Sequence, residues 1–277
     1  GYMANVGLIS ALADARTHVF CDKLIHASIL DGVRLAGASL HRFRHNDPED
    51  LERLLRQNRG PGWIVVESLY SMDGDLAPLE DFATLADQYA VGLIVDEAHA
   101  EGVFGPAGRG LVHEKGLERR VDAVIATFGK AYGTGGACVL SSPTIIEWLT
   151  NASRSLIYST AMPPAQAVSI RAAIEVASRE AWRRERVVQS AHRVREQLRQ
   201  KGLDILNSAS QIIPVVIGSN ERVMATAQKL RDDGLWVAPI REPSVPRGTA
   251  RLRINISAGH SDQDLEILTR SLCAVVP

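Results

Sequence analysis

Short apolar runs alternate with amphipathic helical patterns in the first half of this chain, and this alternation constrains the fold more than any other feature. Each run has the length of a buried strand, and most are followed by apolar residues at helical spacing. Strands that alternate with helices form a parallel sheet covered by those helices. We therefore predict an α/β fold with a mainly parallel sheet, whose strands lie at residues 17–21, 63–68, 91–95, 121–126 and 136–140.

Two domains are predicted, because two adjacent prolines, Pro163 and Pro164, interrupt the pattern. The large domain covers residues 1–164, and a smaller α+β domain covers 165–277. Asp47 and Pro48 mark one helix start, since aspartate favours the cap and proline the first turn. The expected helices lie at 6–16, 28–36, 51–57 and 79–89, then in a long helical region over 165–202 and at 221–233 and 260–272; further strands are expected at 212–217 and 251–256.

Charge and cysteine content exclude several functional classes. The 31 basic and 32 acidic residues give a net charge of -1 without a basic stripe, which argues against nucleic acid or an anionic membrane as a partner. No apolar run reaches the roughly 18 residues of a membrane span, and the first residues lack a signal-peptide pattern. Cys21, Cys138 and Cys273 are too few and too far apart for a disulfide framework or a metal cluster. We expect a cytoplasmic protein with reduced thiols and no metal.

The residues with the clearest chemical potential are Lys130 and Asp96. Lys130 lies in the glycine-rich turn ATFGKAYGTGG, and Asp96 ends the predicted strand at 91–95. A buried lysine shifts toward the neutral amine that forms an imine with an aldehyde cofactor, and an aspartate can keep a pyridine nitrogen protonated. Alone, such a lysine is more often solvated and such an aspartate more often caps a helix. Together, past parallel strands, they predict a pyridoxal 5'-phosphate (PLP) site.

Three further side chains are candidates for the same ligand. His99 follows Asp96 by one turn and can reach a phenolic oxygen of the ring, although a lone histidine is more often a structural hydrogen bonder. Ser71 follows the predicted strand at 63–68, so its hydroxyl can bond the same oxygen or its own backbone. The imidazole of His26 can stack on a cofactor ring or stay as a partly buried side chain.

Two further ligand groups, a phosphate and a carboxylate, suggest three more candidate residues. Gly1 and Tyr2, at the start of the chain, can offer backbone N–H groups to a phosphate. Arg253, in the predicted strand at 251–256, can hold a substrate carboxylate with two hydrogen bonds. An arginine on a strand otherwise forms surface ion pairs.

These motifs together resemble the α-oxoamine synthases, a group of PLP enzymes with the aspartate-aminotransferase fold. The similar segments occur in the order of that family and span nearly the whole chain. They are DKLIHASILDGVR at 22–34, HNDPEDL at 45–51, ESLYSMDGDLAPL at 67–79, VDEAHAEGVFGPAGRG at 95–110, TFGKAYGTGGACVL at 127–140 and IYSTAMPPAQ at 157–166.

The resemblance implies a PLP-binding large domain and a role for each matching residue. Lys130 is expected to carry the cofactor and later to move a proton, and Asp96 to pair with the pyridine nitrogen. His26 is expected to stack on the ring and to help position substrate. The remaining cofactor contacts implied are His99 and Ser71 at the phenolic oxygen, Thr127, Gly1 and Tyr2 at the phosphate, and Ser159 and Thr160 at the phosphate bound by a neighbouring subunit.

The resemblance also implies a reaction. The segments IYSTAMPPAQ and PSVPRGTARLR, at 157–166 and 243–253, are most similar to members that condense L-alanine with a pimeloyl thioester of acyl carrier protein or coenzyme A. Arg253 is then expected to bind the amino-acid carboxylate and Ser244, where threonine is usual, to contact substrate. Glycine C-acetyltransferase chemistry, or that of another member, is the alternative.

The start of the chain bears on activity. Members of the family normally carry a further segment before the position of Gly1, and that segment contributes dimer contacts and part of the acyl-substrate site. We therefore expect a homodimer that lacks the N-terminal part of the family. An alternative of another class also stays open: the chain is an inactive truncated form or a non-catalytic partner subunit.

Overall fold

The computed structural model describes residues 1–276 and divides into two compact units. The first unit comprises Gly1–Leu69 and Ala77–Glu180. The second comprises Tyr70–Leu76 and the chain from Ala181 onward. The predicted domain boundary at residues 164–165 coincides with the start of a helix that belongs to the first unit, so the division in the structure falls about one helix later.

The first unit contains a six-stranded sheet in the order β2-β1-β3-β4-β5-β6. The first five strands pair in parallel, and only β5 and β6 pair antiparallel. The mainly parallel α/β class predicted from the sequence is therefore confirmed. The strands are β1 (His18–Asp22), β2 (Ser39–Phe43), β3 (Gly62–Glu67), β4 (Gly92–Asp96), β5 (Ala123–Thr127) and β6 (Ala137–Ser141).

Helices flank this sheet, and an apolar core joins the two layers. Leu8 and Ile9 of the first helix pack in one cluster with Val19 of β1 and Ile125 of β5. The first-unit helices are α1 (Tyr2–Leu12), α2 (Ala27–Ala36), α3 (Pro48–Gln57), α4 (Leu79–Tyr89), α5 (Leu111–Glu114), α6 (Pro143–Ala152), α7 (Arg154–Ile157) and α8 (Pro164–Arg179), with a short 3₁₀ segment at Pro106–Gly108.

The second unit is a smaller α+β body. Its three strands are antiparallel in the order β7-β9-β8, and a separate apolar core that includes Leu198, Ile213 and Leu252 lies against them. Its elements are α9 (Ala181–Gln200), β7 (Ile212–Gly218), α10 (Asn220–Asp232), β8 (Ala238–Ile240), β9 (Ala250–Asn255) and α11 (Asp262–Val275).

Most predicted elements are confirmed to within three residues, and the larger differences have physical reasons. The first helix was expected at 6–16 but begins at Tyr2, since Gly1 serves as its N-cap, and it ends before a turn closed by the Asp14 side chain. The long helical region is interrupted at Glu180, the C-cap of α8. Strands β2 and β8 were not predicted. Both lie at a sheet edge, where β2 is largely polar and exposed and β8 has only three residues.

Over residues 1–276, none of the helices combines the length and apolar character that crossing a bilayer requires.

Candidate active site

Asp96 is the last residue of β4, and its carboxylate is buried at the carboxyl end of the parallel strands. The backbone N–H of Ala98 donates to Oδ1 at 2.9 Å, and the Asn5 amide Nδ2 donates to Oδ2 at 2.7 Å. A carboxylate that accepts two such hydrogen bonds is fixed in orientation. Its position follows from the sequence, because the apolar run before it forms an internal strand that stops at this polar residue.

A chain of hydrogen bonds links Asp96 to His26. Asn5 Nδ2 also lies 3.0 Å from Ser28 Oγ, and Ser28 Oγ lies 2.7 Å from His26 Nδ1. Asn5 and Ser28 are almost fully buried, with 2% and 0% of their surfaces exposed. His26 is the N-cap of α2, where its Nδ1 also accepts the backbone N–H of Ser28 at 3.2 Å. The first turns of α1 and α2 thus meet at the end of β4.

The electrostatics of His26 bring Lys130 into the same site. Desolvation is the largest effect on the pKa of His26, and it lowers this pKa. The Asp96 carboxylate raises the same pKa, and the Lys130 ammonium lowers it. Both charges must lie near the imidazole to act on it. The ring of Tyr2 meets that of His26 edge-on, with centroids 6.3 Å apart. His26, Asp96 and Lys130, three of the residues predicted from the sequence, are therefore brought together.

Buried carboxyl groups surround this cluster. Burial and the charge of Asp96 raise the pKa of Glu67 well above its usual range, although its carboxyl accepts the backbone N–H of His26. Burial also raises the pKa of Glu101 to about 8, and its Oε2 accepts the Thr127 N–H at 2.9 Å. Burial therefore disfavours the charged forms of Glu67 and Glu101. Asp96 is the buried acid of this region whose carboxylate accepts hydrogen bonds from both Ala98 and Asn5.

Thr127 and the start of α1 form the third part of the site. Thr127 ends β5 and is buried, and its Oγ1 lies 3.3 Å from the Ala98 carbonyl. Gly1 approaches it so closely that a Cβ on Gly1 would lie 2.9 Å from Thr127 Cγ2. An α-helix leaves its first N–H groups without partners inside the helix, and these groups attract anions. The contact therefore places Thr127 beside the start of α1, where N–H groups attract anions.

Lys130 lies in the turn that connects β5 to β6. The turn is closed by backbone hydrogen bonds from Phe128 to Gly136 and from Thr134 to Phe128. Gly133 and Gly136 have φ values of 61° and 97°, which favour glycine. The sequence predicts a buried lysine at this position, whereas the structure places Lys130 exposed in the turn. Within residues 1–276, its amine has no hydrogen-bond or ion-pair partner.

The other first-unit candidates occupy less enclosed positions. His99 is partly buried in the turn after β4, one turn beyond Asp96. Ser159 and Thr160 are exposed in the segment between α7 and α8. Their predicted cofactor contacts remain predictions.

Ser71, Arg251 and Arg253 belong to the second unit. Arg251 and Arg253 alternate with core residues on β9, so both point away from the core. Arg251 is buried and pairs with Asp73 at 2.7 Å. Arg253 Nε donates to the Ser71 carbonyl at 2.5 Å, and in the described part of the chain its guanidinium pairs with no carboxylate. Burial lowers the pKa of Arg253. Ser244 lies exposed in a turn.

A cavity of about 810 Å³ lies elsewhere in the first unit, beside β5 and β6. Its walls are mainly apolar and include Val124, Phe128, Cys138 and Leu140, with the carboxyl group of Glu101 at one side. None of the site residues predicted from the sequence lines it. The chemistry therefore belongs to the cluster at the strand ends rather than to this cavity.

The cluster fits PLP on the chemistry of its donors. A pyridine nitrogen needs a fixed carboxylate, which Asp96 provides; a phosphate needs N–H and hydroxyl donors, which the start of α1 and Thr127 provide. An aldehyde needs an amine without a competing partner, which Lys130 provides. The exposed side of His26 offers a flat face for a ring.

A sheet of this order, with an aspartate and a lysine past its strands, defines a transferase fold of the PLP-dependent aminotransferase type. Residues 1–272 match the family model for aminotransferase class I and II. The chain is 43% identical to the 8-amino-7-oxononanoate synthase of Anaeromyxobacter dehalogenans, over 100% of the chain and 70% of that protein. The chain therefore belongs to the class I and II aminotransferase family and, within it, to the group of the 8-amino-7-oxononanoate synthases.

Solved structures agree with this assignment. A serine palmitoyltransferase from S. paucimobilis, with a bound PLP–myriocin adduct, matches with a TM-score of 0.95 and 35% identity over 99% of the chain and 70% of its own. The 8-amino-7-oxononanoate synthase of Francisella tularensis matches with a TM-score of 0.87 and 27% identity, over 99% of the chain and 79% of its own.

Four residues that contact the site were not found from the sequence: Asn5, Ser28, Glu67 and Glu101. Asn5 is 91 residues away from its partner Asp96, and no local pattern links them. Ser28 follows the predicted His26 after one intervening residue, and no sequence pattern marked it as a site residue. A sequence pattern does mark Glu67, because it lies near the end of a predicted apolar strand, as Asp96 does. Applying the argument used for Asp96 to that strand would have identified Glu67.

Proposed function

We propose that this chain condenses L-alanine with a pimeloyl thioester, carried by acyl carrier protein or coenzyme A, in a PLP-dependent reaction of biotin biosynthesis. The products are 8-amino-7-oxononanoate, carbon dioxide and the free thiol. The observation that carries the proposal is the buried link from Asp96 to His26 beside Lys130. The name of the A. dehalogenans relative, at 43% identity along the whole chain, supports the choice of reaction.

PLP, when bound, supplies an aldehyde for the substrate amine and a protonated ring that stabilises negative charge on the α-carbon. We propose that the Asp96 carboxylate accepts a hydrogen bond from the ring nitrogen and keeps its proton there. Gly1, Tyr2 and Thr127 bind the phosphate. His26 covers one face of the ring.

The phenolic oxygen and the proton transfer involve other groups. We assign His99 and Ser71 to the phenolic oxygen. Lys130 would hold the cofactor through its amine, and the same amine is assigned the removal of the α-proton of alanine. An amine without a competing hydrogen-bond partner is free to make that transfer.

Substrate recognition is assigned to the second unit. We propose that Arg253 holds the amino-acid carboxylate through two parallel hydrogen bonds. Its neighbour Arg251 is already paired with Asp73, whereas the guanidinium of Arg253 has no carboxylate partner among residues 1–276. Ser244 is assigned a weaker contact with substrate.

We further propose that two copies of the chain form a homodimer in the cytoplasm. Ser159 and Thr160 then reach the phosphate of the neighbouring subunit's cofactor. Support comes from large exposed side chains in the same region, including Trp148 and Tyr158, with 56% and 72% of their surfaces exposed. An exposed apolar area of this kind is typical of an interface. The three free thiols suit a reducing compartment.

The test is a product assay with L-alanine and pimeloyl thioesters of both carriers. Formation of 8-amino-7-oxononanoate by the wild-type chain and its loss in Lys130→Ala support the proposal, with Lys115→Ala as the matched control. Titrating the visible PLP absorption with alanine, glycine and serine separates this reaction from those of other family members. A PLP-loaded protein that turns over none of the three amino acids would indicate the non-catalytic alternative.

A further inference from the structure

The hydrogen-bond chain from Asp96 to His26 has a defined direction. A carboxylate only accepts hydrogen bonds, so the group that approaches Asp96 Oδ2 at 2.7 Å must be the amide nitrogen of Asn5. The same nitrogen has a second proton, and this proton points to Ser28 Oγ at 3.0 Å. Asn5 therefore donates in both directions from one buried position.

The direction continues to the imidazole. Ser28 Oγ accepts from Asn5 and lies 2.7 Å from His26 Nδ1, to which it can donate its own proton. The backbone N–H of Ser28 also points at Nδ1, from 3.2 Å. A backbone N–H can only donate, so a proton on Nδ1 would face a donor. His26 must therefore accept at Nδ1, which leaves its proton on Nε2.

We propose that Asn5 and Ser28 are positioning residues, which together orient the Asp96 carboxylate and fix His26 as the neutral tautomer with its proton on Nε2. This inference rests on the proposed function, because Asp96 and His26 there hold the ring nitrogen and the ring face. One side chain, Asn5, thereby sets the geometry of both cofactor contacts. It also makes Nε2 of His26 a hydrogen-bond donor on the side away from Ser28.

The surroundings of His26 agree with a neutral ring. Desolvation lowers the pKa of His26, and the nearby Lys130 ammonium acts in the same direction. Asp96 is the opposing charge, and its carboxylate is already held by Asn5 and Ala98. Glu67 accepts the His26 backbone N–H, and burial raises the pKa of Glu67, which disfavours a second negative charge beside the imidazole.

The tautomer is measured directly by NMR of protein labelled with ¹⁵N-histidine, with and without added PLP. His26→Gln assigns the signal. The wild type is expected to show an unprotonated Nδ1 and a protonated Nε2 near neutral pH. Ser28→Ala keeps the backbone N–H at Nδ1 but removes the Oγ–H donor. It is therefore expected to keep the proton on Nε2, to shift the Nδ1 resonance toward that of an unbonded nitrogen, to lower kcat roughly tenfold and to leave KM for the amino acid within about twofold.

Ser155→Ala is the matched control. The Ser155 hydroxyl also donates a hydrogen bond to α1, at the Met3 carbonyl, but it takes no part in the hydrogen-bond chain from Asp96 to His26. This variant is expected to keep the wild-type tautomer and kinetics. Asn5→Leu is expected to weaken PLP binding roughly tenfold, as the loss of a charge-assisted hydrogen bond of about 1.4 kcal/mol predicts.

The outcomes separate the two proposals. A wild-type His26 that carries its proton on Nδ1, or a Ser28→Ala variant with an unchanged Nδ1 resonance, would overturn the inference whatever the enzyme catalyses. If no PLP binds at all, the proposed function fails, while the tautomer in the PLP-free protein still tests the hydrogen-bond chain.

Discussion

Glu67 and Asp96 lie directly opposite each other in the register of the parallel strands β3 and β4. Both are buried, and they end their strands at the same edge of the sheet. Two carboxyl groups in this arrangement do not both ionise readily, since burial and mutual repulsion oppose the second charge. The pKa of Glu67 is raised well above its usual range, by burial first and by the charge of Asp96 second, so a negative charge on Glu67 is disfavoured here.

Replacing each carboxyl group by its amide should therefore have unequal effects. Glu67→Gln keeps a neutral hydrogen-bonding group, so PLP affinity and kcat should stay within about threefold of wild type. Asp96→Asn removes the charge that holds the ring proton and should lower kcat by roughly 100-fold or more. PLP titration and the product assay measure both. Equal losses of kcat in the two variants would contradict the assignment of the ring-nitrogen contact to Asp96.

Glu101 predicts a dependence of stability on pH. Burial raises its pKa from 4.5 to about 8, so the folded protein keeps a proton that the unfolded chain releases earlier. Its contribution to stability is present below pH 4.5 and is lost as the pH rises toward 8. Glu101→Gln, which can still accept the Thr127 N–H, should match wild type near pH 5 and become relatively more stable above it, by at most about 1.4 kcal/mol per pH unit. Urea unfolding across this range measures the difference, and a constant difference would refute the prediction.

Arg251 and Arg253 should separate folding from substrate binding. Arg251→Met breaks the ion pair with Asp73 and should reduce the free energy of unfolding by roughly 2 kcal/mol. Arg253→Met should instead raise KM for alanine by roughly 100-fold, because a bidentate charge-assisted contact is lost. Urea unfolding and steady-state kinetics are run on both variants. A large KM effect from Arg251→Met alone would reverse the assignment.

The pair of His18 and His41 predicts acid sensitivity. Their Nδ1 and Nε2 atoms lie 2.9 Å apart, and desolvation together with His18 lowers the pKa of His41. A histidine with a lowered pKa in the folded state favours folding above about pH 6.5 and loses that contribution as the pH falls. His41→Gln should therefore lose less stability than wild type between pH 7.5 and 5. His192→Gln, on the exposed surface of α9, should follow wild type. Parallel pH profiles for wild type and His41→Gln would contradict this account.

The sequence predicts the parts of this molecule that local physics determines. The apolar runs before Asp96 and Lys130 form internal strands, because such runs are buried on both faces of a parallel sheet. Asp47 and Pro48 start α3 as cap and first-turn residues. The edge strands β2 and β8 escape prediction, since a polar or very short edge lacks that apolar signal.

The site was predicted only in part for a related reason. His26, Asp96 and Lys130 belong to recognisable motifs, whereas Asn5 acts through a partner far along the chain. The exposure of Lys130 depends on how the turn between β5 and β6 closes. Such contacts depend on tertiary packing, which residue spacing does not encode.

The bond between Lys130 and PLP tests the account most directly. The PLP-loaded protein is reduced with borohydride and digested, and the peptides are mapped by mass spectrometry, with Asp96→Asn treated alongside. The account predicts a phosphopyridoxyl group on Lys130 and on none of Lys23, Lys115, Lys201 and Lys229. Wild-type protein with an unmodified Lys130, or with the label on another lysine, would contradict it.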